Sequence, residues 1–145
     1  MWGMKRKVFA LAGVCLGLYL CVCVAAAVGQ GRITKAKLGT ELTSTAEVNN
    51  RTTEFSPDTP NIYCVWATEG LDDATSVRGV WIAEDVGHAA APNYEIGEAT
   101  LHPPAHSGNF ALSKPDAGFP VGKYRIEIYL GADLAKTVAF TVKAK

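Results

Sequence analysis

Three histidines, His88, His102 and His106, are the side chains of this chain best suited to metal or proton chemistry. The segment His102-Pro103-Pro104-Ala105-His106 sets two imidazoles four residues apart in a proline-rich loop, the beginning of a zinc or copper site. Such a site needs three or four ligands at fixed geometry, and the rest are hard to find. Both methionines, Met1 and Met4, fall at the N-terminus, which leaves no thioether for Cu(I) in the body of the chain. Cys64 sits in an alternating apolar stretch and is expected to be buried. His88 follows the third expected strand, whereas His102 and His106 follow the fourth, and consecutive loops of an antiparallel sandwich lie at opposite ends. A small periplasmic copper or zinc protein using His102 and His106 is therefore the alternative reading of function rather than the first.

The acidic pairs Asp72-Asp73 and Glu84-Asp85 invite comparison with calcium sites, which take six to eight oxygens from a dedicated loop. Neither pair stands in such a loop, and aspartates are common in turns for backbone reasons. No G-x-S-x-G turn occurs, and no spacing suggests an acid–base pair. The expectation is a protein without catalytic residues and without a cofactor.

The elements that would position any site begin after an unusual N-terminus. Lys5, Arg6 and Lys7 precede an apolar run from Val8 to Val28 that closes on Ala25-Ala26-Ala27. Basic flank, apolar core and small terminal residues make an export signal, or a membrane anchor if uncleaved, because the run is long enough to span a bilayer. Residues 1–27 are assigned to that signal or anchor, residues 28–32 to a short tether, and residues 33–145 to one domain outside the cytoplasm, with a membrane tether through residues 8–28 if the leader is retained. Three of the 14 basic residues and none of the 14 acidic residues lie in the leader, leaving a mildly acidic domain. That balance argues against nucleic acid. Cys64 alone remains after cleavage, so no internal disulfide can form.

Downstream, short alternating segments are divided by Gly, Pro, Asp and Asn, the pattern of an all-β sandwich. The expected strands are 33–43, 61–68, 76–84, 94–101, 109–113, 123–130 and 135–143, with the prolines of 55–60 shaping a corner. Alternation is cleanest in 123–130, where Tyr124, Ile126, Ile128 and Leu130 face in and Lys123, Arg125, Glu127 and Tyr129 face out. In the second strand Ile62, Cys64 and Trp66 oppose Tyr63, Val65 and Ala67, and in the third Val77 and Trp81 share a face. Phe119 and Tyr94, near loops, can serve either core or contact.

Seven strands in this order resemble an immunoglobulin-like antiparallel sandwich. The segment Phe119-Pro120-Val121-Gly122-Lys123-Tyr124-Arg125-Ile126-Glu127-Ile128-Tyr129-Leu130-Gly131 resembles the final hairpin of such modules in exported bacterial proteins, with the likeness strongest over residues 119–142. In antibody domains a second-strand cysteine bonds one on the sixth strand, a third-strand tryptophan packs over the bridge, and a corner tyrosine stands two residues before the second cysteine. The resemblance places Cys64, Trp81 and Tyr124 in those roles, with Ile126 where the second cysteine would stand, so all four are expected in the core. It implies a noncatalytic extracytoplasmic module that binds or assembles with a protein of the cell envelope. Arg125, Glu127 and Tyr129 are the candidate contact face, aromatic and Arg side chains being favoured at interface centres. Tyr63 and Val65 would point outward from the opposite sheet.

Overall fold

Strict alternation over residues 122–130 makes one face of that segment apolar and the other polar, and it forms the centre of the larger of two packed sheets. The computed structural model describes residues 31–145. The expected signal or anchor and most of the tether lie outside the described residues. The strands are β1 (Arg32–Gly39), β2 (Glu41–Leu42), β3 (Val48–Asn49), β4 (Glu54–Phe55), β5 (Asn61–Glu69), β6 (Val77–Asp85), β7 (Tyr94–Leu101), β8 (Ser107–Ser113), β9 (Gly122–Leu130) and β10 (Asp133–Val142). Each of the expected segments overlaps one of the long strands; β2, β3 and β4 have two residues each.

One sheet has the order β1-β5-β8 and the other β4-β10-β9-β6-β7, while β2 and β3 form a ribbon of their own. All pairings are antiparallel except β4 with β10, where Glu54 and Phe55 run parallel to Thr141 and Val142. The chain thus leaves the first sheet after β1 and joins the edge of the second through β4 before returning as β5.

The inner faces meet in one apolar cluster. Cys64 and Ile126, on opposite sheets, are both fully buried, and Trp81 stands directly across from Ile126 on β6. Burying Ile126 contributes about 1.5–3 kcal/mol. Phe140 joins three aromatic neighbours: Tyr124 stacks on it at 5.2 Å, and Trp81 and Phe55 meet it edge-on at 5.9 and 5.6 Å. The Tyr124 hydroxyl donates to the carbonyl of Pro120, four residues upstream, and so ties the approach of β9 to its first turn. Gly79 faces inward on β6 because nothing larger fits: a Cβ there would come within 2.5 Å of the Phe110 ring from the other sheet.

Two expectations are corrected. The first strand does not run to Thr43. It breaks at Thr40, because the β2–β3 ribbon folds back so tightly that a Cβ on Gly39 would lie 2.3 Å from a Val48 methyl and 2.4 Å from the Asn49 carbonyl. The corner at 55–60 begins inside a strand, since Phe55 belongs to β4 and reaches the core. Val65 faces away from the main cluster as its alternation requires and is nevertheless buried, with Lys37 of β1 and Asn109 of β8 beside it across the sheet.

Candidate functional site

Arg125, Glu127 and Tyr129 project from β9 onto the outer face of the five-stranded sheet, and neighbouring strands supply partners for each. Antiparallel register sets Arg125 opposite Ile82, Glu127 opposite Val80 and Tyr129 opposite Arg78 of β6. Val80 and Ile82 are buried beneath these polar side chains. Arg125 donates through Nε to Glu127 at 3.0 Å, and through Nη1 to Glu84 at 3.0 Å and to Asn93 Oδ1 at 2.9 Å. Tyr129 donates its hydroxyl to the other oxygen of Glu127 at 2.9 Å. The Arg78 guanidinium lies 4.3 Å above the Tyr129 ring and binds Glu98 of β7 at 3.0 Å. A continuous ladder of alternating charge therefore crosses β7, β6 and β9.

The ladder shifts two of its groups. Burial alone would lower the Arg125 guanidinium, but its hydrogen bonds and charge contacts with Glu127 and Glu84 more than reverse this and hold it above the ordinary arginine value. The Tyr129 hydroxyl is raised, first by its hydrogen bond to Glu127 and then by burial and the Glu127 charge, against the opposing pull of Arg78 and Arg125. The Arg125 and Glu127 side chains are only 18% and 15% exposed, so their geometry is preset. On the β10 side, Leu134 stands opposite Tyr129 and is 52% exposed. The face thus combines paired charges, a cation-capped aromatic ring and an uncovered leucine.

The β9 members stand out in the sequence, and Glu84 does so only as part of an acidic pair weighed for calcium, whereas Arg78, Asn93, Glu98 and Leu134 do not. The outward parity of Arg78 and Glu84 on β6 was the available signal. Asn93 gave none, since its role depends on a left-handed backbone (φ 58°) that turns its amide toward Arg125.

The histidines are not brought together. Asp85 pairs with Lys123, so the loop carrying His88 lies where β9 begins; Val77 pairs with both Leu101 and Leu130, so His102 and His106 lie where β9 ends. His106 faces Asp73 at 3.6 Å in an exposed pair, and its loop is anchored by the Thr68 hydroxyl donating to the carbonyls of Ala105 and His106. Among the described residues no group of three His, Cys, Asp or Glu side chains could hold a metal. Asp72 and Asp85 instead accept turn amides from Ala74 and Gly87.

Cys64, Trp81, Tyr124 and Ile126 all lie in the core. Burial pushes the Cys64 thiol up to about 12, which leaves it protonated and unreactive at neutral pH. The two ambiguous aromatics separate: Phe119 is core, and Tyr94 is exposed.

No protein-family model matches the chain, and no curated protein is significantly similar to it. Among solved structures, an immunoglobulin-like protein from Pseudomonas aeruginosa is similar over 81% of this chain and 99% of its own, with a TM-score of 0.50 and 14% identity. A GH3 β-glucosidase from Bifidobacterium adolescentis matches 78% of this chain but 17% of its own length, at a TM-score of 0.44 and 13% identity, too distant to bear on activity. With its antiparallel two-sheet topology, its corner tyrosine and this neighbour, the described domain has the immunoglobulin-like β-sandwich fold.

Proposed function

We propose that this is a noncatalytic binding module, exported to the cell envelope, that docks a protein partner through the outer face of its five-stranded sheet. The observation that carries the reading is the exposed Leu134 beside the Arg78–Tyr129 stack, at the end of a ladder whose side chains are already ordered. Preset side chains lose little entropy on binding, and a Tyr/Arg pair next to an apolar side chain is the composition of an interface centre. The basic, apolar and small-residue leader supports an extracytoplasmic setting. The absence of an enzymatic role is supported by the ladder itself, whose acids and bases are spent on one another.

The test is capture of partners by tagged full-length protein after crosslinking in the native envelope, with wild type compared to Leu134→Asp and Tyr129→Ala. A specific partner retained by wild type and lost from both variants, at unchanged thermal stability of Leu134→Asp, is the expected result. A partner retained equally by all three would move the interface elsewhere.

A further inference from the structure

The side of the sandwich where β1 and β10 approach is bridged at one end by the segment before β4, whose Thr52 amide donates to the Leu38 carbonyl of β1, and beyond it the charged side chains that line the opening are all cationic. A cleft of about 510 Å³ there is walled by Lys37 and Arg51, with Val138 of β10 at its inner side. A second cleft of about 210 Å³ shares Ala36 and Lys37 with it and adds Lys35 and Lys136. Four cations and no carboxylate line the two. Only Lys35 has an ion-pair partner among the described residues, Glu47. This lies on a domain with more acidic than basic residues, so the cations are gathered rather than scattered.

The same seam exposes backbone. Strand β10 is covered on its outer edge by β4 only at Thr141 and Val142. There the amides of Thr141 and Lys143 donate to the carbonyls of Thr53 and Phe55. Alternation then turns the N–H and C=O groups of Ala139 and Thr137 toward the same edge, where no strand pairs with them and no backbone hydrogen bond joins β1 to β10 among the described residues. A free edge is ordinarily a liability, blunted by bulges and lysines. The register shift between Leu134 and Lys136, together with Lys136 itself, serves that purpose. Edge protection needs no more than these two, however, and Lys37 and Arg51 come from other segments and face the same opening. Two copies of such a seam repel each other, whereas a strand bearing carboxylates is attracted to it and finds unpaired backbone groups.

We propose that the β1–β10 seam binds an extended acidic segment of another protein, which adds as a strand to the free edge of β10 at Thr137–Ala139 while its carboxylates meet Lys37, Arg51 and Lys136. This site is separate from the docking face above and stands or falls without it.

The experiment is a titration of isotope-labelled full-length protein, in zwitterionic detergent micelles, with the peptide acetyl-Glu-Val-Glu-Val-Glu-Val-Glu-amide. Controls are the peptide with Lys for Glu and the peptide with Pro for Val. The expected result is saturable shifts and slowed exchange of the Thr137 and Ala139 amides with the acidic peptide alone. Binding should weaken with salt and fall by about tenfold or more in Lys37→Glu/Arg51→Glu, whose sites are exposed and whose thermal midpoint should be unchanged. Lack of saturation, or equal binding of the lysine peptide, overturns the proposal. Equal binding of the proline peptide, or of a heparin fragment or phosphate, without protection of Thr137 and Ala139, also overturns it and makes the seam an anion site.

Discussion

Replacing Tyr124 by Phe removes one oxygen atom and tests how the approach to β9 is held. The ring stays, stacked on Phe140 at 5.2 Å and buried between the sheets. What is lost is the hydrogen bond to the Pro120 carbonyl. A typical intramolecular hydrogen bond contributes about 0.5–1.5 kcal/mol, and a buried acceptor left without a donor costs about 1–3 kcal/mol. Pro120 is only half-buried, so water meets part of the second cost. The expected loss is about 1–2 kcal/mol, or roughly 4–8 °C in the thermal midpoint for a domain of this size. Urea unfolding followed by tryptophan fluorescence reads it directly, since Trp66 and Trp81 are buried. Tyr124→Ala, which also empties the ring's place, should cost about 3–5 kcal/mol. A Tyr124→Phe protein within about 0.5 kcal/mol of wild type would refute the corner as a structural tie.

Other consequences follow from single contacts. Trp81→Ala should cost about 3–5 kcal/mol by urea unfolding, because it strips the ring that faces Ile126 and Phe140. Gly79→Ala should lower the thermal midpoint measurably, since the new methyl meets Phe110 at 2.5 Å in a rigid interior; an unchanged midpoint would deny that close approach. Asn93→Ala should lose about 1–2 kcal/mol from left-handed backbone strain and the broken Arg125 contact, whereas Asn93→Gly, which tolerates the backbone, should lose less. Burial raises both Cys64 and Tyr124 to about 12 in the folded state. The unfolded chain releases these protons first, so their contribution is intact below about pH 9 and is lost as pH rises toward 12. Unfolding free energy should therefore fall across that window, and less steeply in Tyr124→Phe; an equal slope in the variant would contradict the assignment.

The parts of this fold that can be read from residue order are those where one strand has one wet face. Segment 123–130 is such a case, and both its inner row and its outer row stand where alternation puts them. The turn onto this strand was legible in Gly122 and the prolines before it, whereas the role of Tyr124 as a corner came only from the resemblance to immunoglobulin-like domains. Alternation failed at Thr40, where Leu38, Thr40 and Leu42 continue the period although the chain bends to make the β2–β3 ribbon. Strand β4 is too short to carry a period and pairs in parallel with a segment some ninety residues on. Phe119 and Tyr94 look alike in sequence and part company because one loop folds over the core: the Phe119 amide donates to the Pro57 carbonyl. The ladder was half visible. Its β9 members share one strand, but Arg78, Glu84, Asn93 and Glu98 join it only through register with neighbouring strands. The cationic seam was invisible for the same reason, its charges coming from β1, the segment before β4, and β10.

A protein partner on the outer face of the five-stranded sheet can be sought in place. The most direct measurement is photocrosslinking in the living cell envelope with a photoreactive residue at position 134, beside Tyr129, and a control at position 88, in the loop at the other end of β9. The expected result is a discrete protein adduct from position 134 that is absent from position 88 and is lost when Tyr129→Ala is introduced. No adduct from position 134, or the same adduct from both positions, would contradict it.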